Sequence, residues 1–324
     1  MRRREALLAL GAMIAARHAR AQAPRVARVA LVFAPRAKDV SAWERAFLEE
    51  LRERGFAQGR NLAFEVRYAD GDARRVPALV DEVIAQRPDV LVAFESVAKV
   101  MRAKTAAIPI VLTHSSDPVE LGLAQSLSHP GGNVTGVALN HELLSAKVLE
   151  MLKELLPRLS RVGLLLDSTA PGARLIEANA RKAAAGLGLS ITAYFAGNRK
   201  ELEKSLAGIG RDRPDALVFA SIAPALLSHS DLIFAQVSRD RLPFAIGAGI
   251  LTESPFVIAF GPNIAQAYRD AARYVERILK GARPGELPIQ QPTRFTLTVN
   301  LKQAQALGIK VPQSLLLRAD RVIE

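Results

Sequence analysis

One pattern occurs twice in this chain and constrains the fold more than any other feature. RPDVLVAFES occupies positions 87–96 and RPDALVFASI positions 213–222. In each copy a proline stops a preceding helix, an aspartate closes the turn, and an apolar run reads as a buried strand. Similar elements surround both copies. In the first set, strands are expected over 28–35, 61–69, 89–94 and 108–114. Helices fall over 41–55, 73–87 (interrupted near its start by Pro77) and 96–105. Residues 118–139 read as a short helix, a glycine-rich turn and a strand. The pattern then restarts: strands over 159–168, 189–197, 216–221 and 242–247, helices over 172–188, 199–212 and 226–240. Strand and helix alternate throughout, the signature of parallel β-α-β units. The repeated decapeptide is thus the third strand of each of two similar half-molecules.

The expected fold class is α/β: two similar doubly wound parallel-sheet lobes with a ligand cleft between them. In open parallel sheets a ligand sits beyond the carboxyl ends of the strands. After the second set come a strand (255–263), an amphipathic helix (264–281), a proline-containing stretch (283–292), and a further strand and helix (294–309). These segments return to the lobes already built, so lobe 1 is expected to comprise 26–138 plus 255–287, and lobe 2 139–254 plus 288–324.

The amino terminus stands outside this scheme. MRRRE is followed by the eleven apolar residues Ala6–Ala16 and then by Ala19-Arg20-Ala21, a small-x-small cleavage pattern. Eleven residues fall short of the ~20 needed to span a bilayer. Residues 1–21 therefore read as a signal peptide, and Arg3-Arg4 leaves the Sec and twin-arginine routes both open. Removing them lowers the formal net charge from +12 to +8, because they hold five arginines and one glutamate. The remaining charge is spread along the chain, which argues against a nucleic-acid partner. With no cysteine, disulfides are excluded, as is a lipidated thiol at the cleavage site. The expectation is a free periplasmic protein, not a lipoprotein.

Candidate ligand contacts lie in loops after strand ends: Glu95, Ser96, His114, Ser115, Ser116 and Asp117 in lobe 1, and Asp167, Ser168, Thr169, Ser221 and Gly247 in lobe 2. Ser96 stands where a helix begins, so its hydroxyl and the free backbone amides suit either a ligand carboxylate or plain helix capping. Asp117 before Pro118, and Asp167 before the helix near Pro171, pose the same choice. Glu95 is a carboxylate directly after an apolar strand, placed either to meet a cation or to sit at the rim. No metal or cofactor site is expected: His114, His129, His141 and His229 lack ligand spacing. A hydrolase is disfavoured because no G-x-S-x-G elbow is present and adjacent His114, Ser115 and Asp117 make poor nucleophile-base geometry.

Three segments carry a family resemblance: 55–84 (GFAQGRNLAFEVRYADGDARRVPALVDEVI), 117–139 (DPVELGLAQSLSHPGGNVTGVAL) and 277–324. Together they resemble the ABC-transporter substrate-binding proteins of the tryptophan/tyrosine-type group. The resemblance implies a type I periplasmic-binding fold and a solute-binding component of an ABC importer. It implies binding without chemistry, by lobe closure on an amino-acid-like or carboxylate ligand, with an inner-membrane ABC permease as partner and the protein itself a monomer. A periplasmic sensor that presents its ligand to a membrane receptor is the alternative. Two stretches depart from the family pattern. Residues 246–255 (IGAGILTESP) stay small and apolar until Thr252 and Glu253, where an aromatic or acidic residue is common. Phe94-Glu95-Ser96 replaces the usual small residues after the third strand.

Overall fold

The structure is a computed structural model and describes residues 26–138, 141–170, 172–220, 224–247, 254–292 and 295–324. Strands β1 (Ala27–Phe33), β2 (Leu62–Tyr68), β3 (Val90–Ala93), β4 (Ile110–Leu112) and β5 (Val134–Gly136) form one sheet, in the order β2-β1-β3-β4-β5 with every pairing parallel. Helices α1 (Ala37–Glu53), α2 (Val76–Ala85) and α3 (Glu95–Lys104) link them. Pro77 falls in the first turn of α2, after a short 3-10 turn at Ala73–Arg75, where a missing amide costs nothing.

The second sheet contains β6 (Arg161–Leu166), β7 (Ser190–Phe195), β8 (Ala216–Phe219), β9 (Phe244–Ile246), β10 (Ile258–Pro262), β11 (Phe295–Asn300) and β12 (Arg321–Ile323). Its order is β12-β11-β10-β9-β8-β6-β7, parallel except for the β10–β11 pair. Its helices are α4 (His141–Leu155), α5 (Ala173–Gly186), α6 (Arg199–Asp212), α7 (Pro224–Leu227) and α8 (Ser230–Arg239). Apolar clusters cover both faces of each sheet, as buried parallel strands require.

The repeated Arg-Pro-Asp does the same work in both lobes. Arg87 and Arg213 end their helices in the left-handed region, at φ 51° and 47°. Proline then prevents continuation of the helix. The Asp89 carboxylate accepts the Arg28 amide at 2.8 Å, and the Asp215 carboxylate accepts the Ser160 and Arg161 amides at 3.0 and 2.8 Å. Each aspartate thereby pins the start of its lobe's first strand. Burial pushes the Asp215 pKa up, but the Arg161 and Ser160 amides and the Arg161 guanidinium outweigh it, and the net shift is downward.

Several expectations need correction. Residues 118–123 form hydrogen-bonded turns, not a short helix, with the Leu121 amide bonded to the Asp117 carbonyl and the Leu123 amide to the Pro118 carbonyl. The helix expected over 226–240 divides into α7 and α8 around Ser228 and His229. The lobe boundaries at 255 and 288 also shift. Strand β10 belongs to the second sheet, since Ile258 and Ala259 pair with Ala245 and Ile246 of β9 and need that partner for their backbone groups.

The return to lobe 1 starts only at α9 (Ile264–Leu279), whose buried stripe packs on α1. Ion pairs Arg54–Glu276 (2.8 Å), Arg273–Glu50 (2.9 Å) and Arg269–Glu49 (2.7 Å) flank that contact. Residues up to Gln290 stay beside β5: the Ile289 amide bonds the Leu127 carbonyl at 2.7 Å, and the Gln290 amide bonds Gly136 at 2.9 Å. The chain crosses to the second sheet only after them. Helices α10 (Leu301–Ala306) and α11 (Gln313–Arg318) and strand β12 then complete lobe 2.

Candidate functional site

The carboxyl ends of the two sheets face each other, and side chains meet across the gap. In lobe 1, β3 delivers Glu95 and Ser96 to the first turn of α3, and β4 delivers His114, Ser115 and Ser116. Glu95 is only 3% exposed. Its Oε2 accepts the Ser116 amide and hydroxyl, both at 2.6 Å, and the Ser115 hydroxyl at 3.3 Å. Gly172, at the start of α5 in lobe 2, approaches the same carboxylate, since a Cβ on it would lie 3.5 Å from Glu95 Oε1. Burial raises the Glu95 pKa and outweighs the donors from Ser116 and Ser115. No described cation lies within ion-pair distance of it.

The remaining lobe 1 candidates serve partly structural ends. The His114 ring packs against Phe94 at 4.5 Å and Tyr268 at 6.2 Å between centroids, and its Nδ1 lies 3.2 Å from the Thr113 hydroxyl. The Asp117 carboxylate accepts the Val119 and Glu120 amides at 2.8 and 3.1 Å, capping the turn that follows.

In lobe 2, buried Asp167 accepts the Thr169 amide at 2.8 Å and its hydroxyl at 2.6 Å, which folds the loop after β6 back on itself. Ser168 is exposed and donates to Glu201 at 3.1 Å. The Gly247 amide bonds the Phe219 carbonyl at 2.9 Å at the end of β9. Ser221 lies outside the described residues, as do Thr252, Glu253 and residues 1–21.

A cleft of about 600 Å³ opens between the lobes. Ser96, Lys99 and Val100 line it from α3, and Ser168, Thr169, Arg174 and Phe195 from lobe 2. The Arg174 guanidinium lies 4.2 Å from the Phe195 ring centroid and pairs with Glu177 at 3.0 Å. Lys99 is exposed and makes no hydrogen bond or ion pair among the described residues. Sequence reasoning found Ser96, Ser168 and Thr169 but missed Lys99, Arg174, Phe195 and Gly172. The Ser96-x-x-Lys99-Val100 spacing was the available signal, since positions three and four apart share a helix face. Nothing local signals that Phe195, on the neighbouring strand, lies under Arg174. Another cavity, about 570 Å³, lies on the outer face of α1 beside Phe56 and Leu62, away from the lobe interface.

The lobes also touch beyond Glu95. A Cβ at Gly71 would lie 2.7 Å from Ser228 Cβ, and Leu227 packs into the lobe 1 cluster that holds Phe33 and Tyr268. Two parallel sheets with facing carboxyl ends, three chain crossings and a cleft between them define a type I periplasmic-binding fold. The family model described as ABC transporter substrate binding protein matches residues 28–323, and the chain belongs to that family.

Among curated proteins, the chain is 20% identical over 269 residues to the tyrosine-binding protein of Clostridioides difficile, covering 82% of this chain and 76% of that protein. Among solved structures it is similar to an ABC domain from Streptococcus pneumoniae in complex with L-Trp. That match has a TM-score of 0.85 and 21% identity and covers 92% of this chain and 99% of that one. A conserved domain protein from Vibrio cholerae matches with TM-score 0.84 and 26% identity, over 92% and 100% of the two chains.

Proposed function

We propose that this protein is the solute-binding component of an ABC importer, exported to the periplasm, and that its lobes close on an amino acid or related carboxylate. The observation that carries this reading is the cleft itself, lined from both lobes by hydroxyls, a cation with no partner among the described residues and an aromatic face. Lys99 suits a ligand carboxylate, the hydroxyls of Ser96, Ser168 and Thr169 suit its polar groups, and Phe195 offers apolar surface. The tyrosine-binding relative and the L-Trp complex support the amino-acid class. Binding without chemistry, delivery to a membrane permease and a monomeric state complete the proposal.

Thermal-shift screening of the mature protein against amino acids and small carboxylates tests the ligand class. A ligand at about 100 times its dissociation constant stabilises the protein by about 2.7 kcal/mol. Lys99→Ala should then weaken binding by about tenfold, the loss of one charge-assisted hydrogen bond. A screen with no shift, or a hit indifferent to Lys99→Ala, counts against this cleft as the site.

The export proposal rests on the order of basic, apolar and Ala-Arg-Ala segments before Gln22. Mass spectrometry of protein from a periplasmic extract should find an amino terminus near Gln22. Mature protein that retains Met1 or Arg2 would refute removal of residues 1–21.

A further inference from the structure

The donors around Glu95 are arranged as they would be around a bound carboxylate. Ser115 contributes a hydroxyl and Ser116 a hydroxyl and a backbone amide, all to Oε2, while Gly172 of the opposite lobe lies beside Oε1. Ser115 and Ser116 are both buried, at 0% and 6% exposure. Three donors on one oxygen is the setting a bound carboxylate takes. Gly172 is placed for the role, since the nearest atoms to its Cα substituent position are those of Ser116 and Glu95. The occupant is supplied by the chain itself, from the first turn of α3.

We propose that the Glu95 carboxyl group is the resident occupant of an interlobe carboxylate site made by Ser115, Ser116 and Gly172. It thereby bars a ligand carboxylate from that site and ties the two lobes together. This rests on reading the interlobe gap as the ligand cleft, and it deepens that reading by setting specificity. Glu95 is 3% exposed and its Oε2 is engaged by three donors of its own lobe, so it is not offered to the ligand's ammonium. A ligand carboxylate is directed instead to the Lys99 side of the cleft. The earlier alternatives for Glu95, a cation receptor or a rim residue, give way to a third role, and Ser115 and Ser116 serve Glu95 in place of the ligand.

Chemical rescue tests this without any knowledge of the natural ligand. Glu95→Ala vacates the site, and formate is the probe, with chloride at equal ionic strength as the control. Melting of the alanine variant should fall below that of the unaltered protein. It should then recover with formate by about 2 °C or more beyond chloride. The unaltered protein should not respond, because its site is full.

Glu95→Gln should melt lower and stay unresponsive, because its amide keeps the volume filled while setting a donor against donors. Adding Ser116→Ala to Glu95→Ala should abolish the rescue. Glu95→Ser carries the same test should the alanine variant not fold. If formate acts equally on the unaltered protein and the vacated variant, or if the glutamine variant responds like the alanine one, the proposal is wrong. A ligand screen without hits would undermine the proposed importer role but leave the formate result standing, so the two failures are distinguishable.

Discussion

Replacing Gly172 with alanine or valine should weaken ligand binding by about tenfold to a hundredfold while leaving both lobes folded. Gly172 begins α5 at φ −86°, a backbone conformation any residue adopts. A Cβ there would overlap the Ser116 hydroxyl and lie 3.5 Å from Glu95 Oε1, and both of those residues belong to the opposite lobe. Each lobe alone has room for the side chain, and only their approach forbids it. Overpacking a close contact costs about 1–3 kcal/mol, and each 1.4 kcal/mol is tenfold in affinity. Under the proposed lobe closure, binding draws on the closed state and the loss appears as a lower apparent affinity. Stability should fall by about 1 kcal/mol, since alanine and valine are poorer helix N-caps than glycine.

Titration calorimetry with a ligand from the screen, paired with small-angle scattering, checks this. Both variants should stay more expanded with ligand than the unaltered protein. Unchanged affinity and full compaction in Gly172→Val would mean that the lobes do not close as this interface implies.

The largest stability effect is expected at Tyr268, where alanine should cost about 3–5 kcal/mol. Tyr268 is 1% exposed and stacks on Phe33 and Trp43 with centroids 5.8 Å away in each case. Its hydroxyl bonds Thr113. It also supports the His114 ring from beneath, which ties α9 to the loop after β4. Removing it leaves a cavity where the returning helix meets the sheet, and the melting temperature should fall by about 10 °C. Tyr268→Phe separates the parts: it keeps the ring stack and loses only the bond to Thr113, so it should cost about 1 kcal/mol. Thermal denaturation of the two variants measures both. A drop of only a degree or two in Tyr268→Ala would show that α9 is not anchored there.

How far the sequence could be read depends on the range over which each signal acts. Strands and helices of both halves were visible because an apolar run or a helical stripe is a property of neighbouring residues. No element was expected between 139 and 159, where α4 packs on α5, although Pro157 just past its end is a helix-stop signal. Strand β10 was assigned to the wrong lobe because an apolar five-residue strand carries no mark of its partner. Only the exposed edge of β9 decides that.

By itself the sequence determined the two-lobed α/β design, since Arg-Pro-Asp before an apolar run is a local device for ending a helix and starting a strand. Its strand-end loops also held Ser96, Ser168 and Thr169, which line the cleft, because strand ends are local too. Only the tertiary structure decided what those loops do there. Glu95 and Ser116 come from loops after two different strands of lobe 1, and Gly172 reaches them from lobe 2 only once the sheets face each other. Asp117 and Asp167 found their amide partners within two or three residues, whereas the partners of Glu95 lie 20 and 21 positions along the chain.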